Sequence, residues 1–343
     1  MKALVLTEYN RLEYKDVPNP ALGPNDVLIK VHACGICGSD VHGMDGSTGR
    51  RQPPIIMGHE AAGTIDKLGS NVSGWHLGDR VTFDSTVYCG DCAFCRHGQI
   101  NLCDNRMVLG VSTGVYRLDG AFAECIKVPQ NILYRLPAEI RFEQATLIET
   151  LAIALHAVNR TPITLGCTAV VTGAGMVGLM VIQALCLAGC SQVIAVDIAE
   201  DRLALARKLG ATSAVNADSG NHLDAIMELT SGYGADVAIE AVGLAQSVRS
   251  GAASLRKGGH LTLVGNLITS VEFPLQDVVT REFVVSGSCA SAGEYPMAIE
   301  LISSGKVNVD ALISATAPLS EGAEWFQRLY MKEPGLLKVM LEP

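Results

Sequence analysis

The 343-residue sequence has no excess of positive charge: 26 lysines and arginines face 35 aspartates and glutamates, a formal net charge of −9. With a pI near 5.4, that balance argues against a surface for nucleic acid or an anionic membrane, both of which select clustered cations. Long apolar runs are missing too. The richest stretch, Met176–Leu187, makes about 18 Å of helix, too short to span a bilayer. The opening MKALVLTEYN lacks an apolar h-region and a small-residue cleavage site, so it reads as a first strand, and a cytoplasmic chain is expected. There is no internal repeat and no low-complexity segment. Charged residues make up 18% against 48% hydrophobic, which fits a well-buried globular enzyme and not a disordered chain. The length predicts about two domains.

Without a secretory signal, the eleven cysteines favour metal binding over disulfides. Cys167, Cys186, Cys190 and Cys289 lie in apolar runs and read as small core residues.

The first half is expected to be β-rich. Lys2–Leu6, Val27–Ala33, Ala61–Leu68 and Arg80–Phe83 are short β-branched runs separated by breaks such as LGPND and GICGSD. From about Ala152 strands and helices alternate: Thr168–Thr172, helix Met176–Leu187, Gln192–Val196, helix Glu200–Leu209, Val237–Ile239 and His260–Val264. Buried runs between amphipathic helices predict a doubly wound parallel sheet. After about Ser288 the pattern loosens, with helix Tyr295–Ser303 and a last strand near Leu337–Leu341. The fold class is therefore α/β, a β-rich domain (1–151 and 288–343) interrupted by a nucleotide domain (152–287).

Gly173, Gly175 and Gly178 form G-x-G-x-x-G after a predicted strand and at the mouth of a helix. The first glycine makes the tight turn, the second admits a pyrophosphate to the backbone, and the third lets helix and strand pack closely. Met176 and Val177 then open a helix whose unpaired N–H groups face the phosphates. Asp197 closes the next strand, where an acid binds the ribose 2′-OH. A carboxylate about 4 Å from a 2′-phosphate would repel it by roughly 4 kcal/mol per charge at an effective dielectric of 20, which favours NAD over NADP. Arg202 competes with that preference and is expected near the adenosine. Val242, Val264 and Gly265 are further candidate cofactor contacts.

Cys89, Cys92, Cys95 and Cys103 give C-x₂-C-x₂-C-x₇-C, which suits a closed tetrahedral structural zinc site. A ferredoxin-type iron–sulfur run starts the same way, but Cys103 comes late and is followed by Asp104. No basic recognition helix follows, which excludes a DNA-reading finger. A second, dispersed set comprises Cys37 in CGICGSDVH, His59 and Glu60 in GHE, and Glu149 in LIET. A thiolate, an imidazole and a carboxylate suit catalytic zinc with one open position.

Together CGICGSD, GHE, GDRV, the four-cysteine loop and GAGMVG resemble the zinc-containing medium-chain dehydrogenases over nearly the whole chain. The resemblance implies a GroES-like catalytic domain, an inserted Rossmann domain, two Zn²⁺ per chain and NAD. Where alcohol dehydrogenases carry a second catalytic cysteine, this sequence has Glu149. That is similar to the sorbitol (polyol) dehydrogenase branch, whose ligand pattern maps onto Cys37, His59, Glu60 and Glu149, with direct ligation by Glu60 or Glu149 left open. Thr150 replaces the proline usual in that branch, and SGSCASAGEYP lacks the arginine of its Arg-Tyr pair.

The implied activity is oxidation of a small polyol or secondary alcohol to the ketone. Zinc acts as a Lewis acid on the hydroxyl, hydride passes to the nicotinamide, Ser39 accepts the proton and His42 passes it to solvent. The reaction is expected where ligands gather at the carboxyl ends of parallel strands, in a cleft between domains. An L-threonine 3-dehydrogenase-like or other zinc alcohol dehydrogenase is the alternative within the class. A phosphorylated polyol would want a basic cluster, which the sequence lacks. A non-catalytic nucleotide sensor has no need of Cys37, Ser39, His59 and Glu149 together, and a redox sensor would close Cys89–Cys103 as disulfides. Phe283–Ser286 is expected to pair across a twofold axis, as in relatives, giving a homodimer or homotetramer.

Overall fold

Strand Asp26–Gly35 (DVLIKVHACG) is buried along most of its length, with Lys30 and His32 alone breaking the apolar run between Val27 and Cys34. In the computed structural model, which describes residues 1–343, it is the centre of a seven-stranded sheet. Glu60–Leu68 pairs antiparallel on one flank and Lys338–Glu342 on the other, with Met340 opposite Gly35. Arg80–Phe83 and Leu133–Arg135 extend the sheet beyond Glu60–Leu68, Ile313–Pro318 extends it beyond Lys338–Glu342, and Cys125–Pro129 also pairs with the central strand. Leu4, Ile29, Ile55, Phe83, Phe122, Phe326 and Leu341 fill the core beneath it, where the rings of Phe122 and Phe326 meet edge to face at 5.5 Å.

The second unit is a six-stranded sheet in the spatial order Ser213–Asn216, Gln192–Asp197, Thr168–Thr172, Ala235–Glu240, Leu255–Leu263, Val284–Gly287. Every pair in it is parallel. Its central strand TAVVT is buried from Ala169 onward, as a strand covered on both faces must be. Strand order reverses at Thr168–Thr172, so the carboxyl ends of that strand and of Ala235–Glu240 form the switch point at which such sheets bind ligands. Helix Met176–Leu187 has the expected bounds, and so do strand Arg80–Phe83 and helix Tyr295–Ser303.

The chain divides into Met1–Glu149 with Tyr295–Pro343, and Thr150–Glu294. The stretch 288–294, expected with the zinc domain, thus goes with the nucleotide unit. One cause is Glu294, whose carboxylate accepts hydrogen bonds from His156 Nδ1 at 2.8 Å and Ala292 N at 2.6 Å. The cysteine expectation needs a correction as well. Cys167 is buried, but Cys190 is only half-buried and Cys186 and Cys289 are exposed. Cys186 sits in the last turn of its helix, where its thiol reaches the carbonyl of Gly210. No helix is long and apolar enough to cross a membrane.

Candidate metal and dinucleotide sites

Two neighbouring strands and one helix deliver the dispersed ligand set. Strand 26–35 runs into Cys37, which caps helix Gly38–Gly43 with an extended backbone. Glu60 begins the next strand directly opposite Gly35. His59 precedes it, after a glycine at φ +94° whose missing side chain leaves room for Cys34 Sγ and the backbone of Phe122. One donor atom from each of Cys37, His59 and Glu60 lies within 4.8 Å of the others. Glu149 stands outside that group, in the first turn of helix Leu147–Asn159, and accepts a hydrogen bond from Ser85 Oγ at 3.3 Å. Burial, with the nearby charge of Glu60, pushes Glu149 up to about 7 although His59 pulls the other way.

Three residues not singled out in the sequence organise this set. Asp40 is fully buried, accepts two bonds from the Arg51 guanidinium at 2.9 and 3.1 Å, and lies 3.5 Å from His59 Nδ1. Burial alone would raise the Asp40 carboxyl; His59 and Arg51 reverse that and hold it well below the usual range. Burial likewise works against a charged His59, but Asp40 and then Cys37 lift it well above its ordinary value. A carboxylate behind a buried imidazole is the arrangement that orients a metal-binding histidine. Lys338, 1% exposed, bonds Glu60 Oε2 at 2.5 Å and the carbonyl of Ile36 at 3.2 Å. Gly35 has no side chain because a Cβ there would stand 2.7 Å from Glu60 Oε2. Asp40 was visible inside CGICGSD; Arg51 and Lys338 carry no local signal beyond a lysine placed in an otherwise apolar strand.

Ser39 Oγ donates to Cys37 Sγ at 3.3 Å and accepts from Arg51 at 3.3 Å. His42 follows one turn later on the same short helix and is half-buried. The donor set, one thiol, one imidazole and one carboxylate with its imidazole backed by Asp40, fits Zn²⁺.

The four-cysteine loop folds on its own sulfurs. Cys103 Sγ is 3.5 Å from Cys89 Sγ, which is 4.0 Å from Cys95 Sγ. Tetrahedral Zn–S bonds of about 2.3 Å place sulfurs about 3.8 Å apart. Backbone N–H groups point at the sulfurs: Cys92 N to Cys89, Cys95 N to Cys92, and Cys89 N and Asn105 N to Cys103. The N–H of Cys95, then that of Asp104, draws the Cys92 thiol down to about 7, a polarity suited to thiolate ligation.

In the nucleotide unit the three glycines have separable roles. Gly173 turns at φ +97°, and a Cβ on it would meet Val242 Cγ2 at 2.4 Å. On Gly178 a Cβ would fall 1.8 Å from the Gly173 carbonyl oxygen, whereas on Gly175 it would meet nothing within 4 Å. That open face lies at the N-cap of helix Met176–Leu187, with Met176 and Val177 half-buried in its first turn, and it fits a pyrophosphate. Asp197 is turned inward: Oδ2 accepts the N–H of Ala174 at 2.6 Å and Oδ1 that of Ala199 at 3.0 Å. Each oxygen keeps a lone pair for a ribose hydroxyl. Arg202 is half-exposed on helix Glu200–Lys208, and Val242, Val264 and Gly265 gather at the switch point with partial exposure.

Residues 23–138 match the alcohol dehydrogenase GroES-like domain and residues 176–304 the zinc-binding dehydrogenase family. The chain is 35% identical to sorbitol dehydrogenase of Bacillus subtilis (strain 168), covering 100% of this chain and 97% of that protein. It is 36% identical to D-xylulose reductase A of Aspergillus niger over 95% and 93% of the two chains. Among solved structures, a zinc-binding dehydrogenase from Sinorhizobium meliloti 1021 bound to NADP superposes with a TM-score of 0.89 at 31% identity, covering 100% and 99%. The chain belongs to the zinc-containing medium-chain dehydrogenases, in their sorbitol (polyol) dehydrogenase branch.

Proposed function

We propose that the chain oxidises a small polyol or secondary alcohol to the ketone, with NAD as acceptor and two Zn²⁺ per chain. The observation that carries this is the meeting of Cys37, His59 and Glu60 within 4.8 Å, backed by Asp40. These three residues would hold the catalytic ion, with Glu149 close by as an exchangeable carboxylate, and Cys89, Cys92, Cys95 and Cys103 would hold the structural one. When bound, zinc supplies Lewis-acid polarisation of the substrate hydroxyl and the nicotinamide accepts a hydride. Ser39 takes the hydroxyl proton at Oγ, which the Arg51 guanidinium keeps oriented. His42, one helical turn on, passes the proton to solvent. Asp197 favours NAD by offering its carboxylate to a ribose diol and repelling a 2′-phosphate.

Relatives named for sorbitol and D-xylulose favour a polyol. The test is metal analysis with a substrate panel of sorbitol, xylitol, galactitol, their phosphates and L-threonine, each with NAD and with NADP. Two zinc per chain and NADH formation from an unphosphorylated polyol are expected. One zinc, a preference for NADP, or L-threonine as the best substrate would each remove part of the reading.

A cytoplasmic homo-oligomer completes the proposal. Strand Val284–Gly287 ends its sheet with one edge unpaired; Val284 is 53% exposed and Val285 36%. Leu275 and Val279 on the preceding helix are also exposed. Such an apolar edge is commonly covered by a second copy through a twofold axis.

A further inference from the structure

Beyond the last residue of strand Ala235–Glu240 the chain turns away from the sheet, and the N–H groups of Val242 and Gly243 leave the strand ladder. Buried or half-buried amides of this kind need an acceptor from elsewhere. The Glu240 side chain supplies it. Its Oε1 accepts from Val242 N and from Gly243 N, both at 2.8 Å. Glu240 itself is fully buried, and its Oε2 makes no hydrogen bond.

The main chain of the same residue makes a second set of connections. Its carbonyl accepts from Val264 N at 2.8 Å and Gly265 N at 3.1 Å, while Ala241 N donates to the Thr172 carbonyl at 2.9 Å. Glu240 therefore ties together the segment after its own strand, the segment after Leu255–Leu263, and the end of the strand that leads into the glycine turn. The contacts between these segments leave no slack. A Cβ on Gly265 would stand 2.1 Å from Gly243 N, one on Gly243 would stand 2.3 Å from Asn266 N, and Gly173 faces Val242 Cγ2. A shift of 242–243 would push directly on the glycine turn or on 264–265.

We infer that Glu240 is a positioning residue for the dinucleotide: it holds 242–243 so that Val242, Val264, Gly265 and the glycine turn present one preformed surface to the cofactor. This rests on the reading of the unit as an NAD site. Preforming that surface removes an ordering cost from binding, so losing the tether weakens the cofactor more than it weakens the fold. Two backbone N–H groups share the one carboxylate oxygen, so losing the side chain leaves both without their acceptor.

The experiment uses the full-length protein and NADH titrated by its fluorescence, with hydrogen exchange followed at single amides. In Glu240→Ala the NADH Kd and the KM for NAD are expected to rise about tenfold or more, the scale of one lost buried hydrogen bond. Exchange at Val242 and Gly243 should quicken in step, while the zinc content stays the same. Glu240→Gln keeps an acceptor at Oε1 and places its NH₂ where Oε2 makes no bond, so it should restore affinity to within about threefold of the parent. A folded Glu240→Ala protein that binds NADH as tightly as the parent overturns the inference, and so does an equal loss in Glu240→Gln. Should Glu240→Ala fail to fold, the parent without cofactor still decides: its Val242 and Gly243 amides must already be protected, and fast exchange there refutes the tether. A parent that binds no NADH would instead refute the NAD reading while leaving that exchange result intact.

Discussion

A lysine with 1% exposure must be paired, because an isolated ammonium in the interior would lose its proton. Lys338 has Glu60 for a partner. Removing one partner of a buried ion pair is costly, so Lys338→Met is expected to cost about 3–5 kcal/mol in denaturant unfolding, and Lys338→Met with Glu60→Gln about half that or less. Glu294 permits a test of pH dependence. Burial alone would raise its carboxyl, yet the hydrogen bonds from His156 and from Ala292 N hold it below its ordinary value. A depressed pKa stabilises the fold fully above the unfolded value near 4.5 and loses that contribution as pH falls through the folded value. Glu294→Gln should therefore flatten the decline in stability below about pH 5, read from urea midpoints across pH. Thiol chemistry follows burial too: the sulfurs of Cys167 and Cys190 touch at 3.3 Å, and burial with that neighbour pushes Cys190 up to about 12. Of the cysteines in the nucleotide unit, exposed Cys289 should label first with a thiol reagent and Cys167 and Cys190 last. The candidate ligand set was legible in the sequence because cysteines and a His-Glu pair flanked by glycine stand out from a hydrophobic background. Lys338 was not, since its partners Glu60 and Ile36 lie far away in the chain, and Arg51 was not, since its pairing with Asp40 across the intervening loop follows no sequence period.

At the scale of elements, the glycine turn gives two opposite expectations from one motif. Gly178→Ala places a methyl 1.8 Å from the Gly173 oxygen, so helix and strand must separate. A loss of about 1–3 kcal/mol or more, typical of overpacking, should appear in thermal unfolding. Gly175→Ala meets no atom within 4 Å and should leave the melting temperature nearly unchanged while weakening NADH binding, because its methyl projects where the pyrophosphate approaches. Calorimetry and fluorescence titration on the same two variants separate these outcomes. Strands Thr168–Thr172 and Arg80–Phe83 and helix Met176–Leu187 were readable to the residue, since continuous β-branched runs and a glycine-marked start leave few alternatives. The exposed strand Arg11–Asp16 (RLEYKD) was not, because a surface strand rich in charge has no apolar period to detect.

On the scale of the whole molecule, the two-unit plan was evident from the change in texture near Ala152, but the return point was not. Nothing in SGSCASAGEYP announces that Glu294 bonds His156, a residue far earlier in the chain. If the edge strand Val284–Gly287 closes an assembly, Val284→Lys with Val285→Lys should lower the mass measured by light scattering without disturbing NADH binding. An unchanged mass would place the subunit contact elsewhere.

Strand Lys338–Glu342 lies beside Asp26–Gly35 in the middle of the first sheet, although almost the whole sequence separates them. The consequence is one of timing during synthesis. Domains generally fold as units while the chain emerges, and Thr150–Glu294 is contiguous, so it can fold as soon as it is made. The unit that carries Cys37, His59 and Glu60 must wait with a gap in its central sheet until Lys338–Glu342 has been made. That strand also brings Lys338, the counter-ion of Glu60. The candidate metal set therefore becomes stable only after strand Lys338–Glu342 has been made, later than the contiguous nucleotide unit.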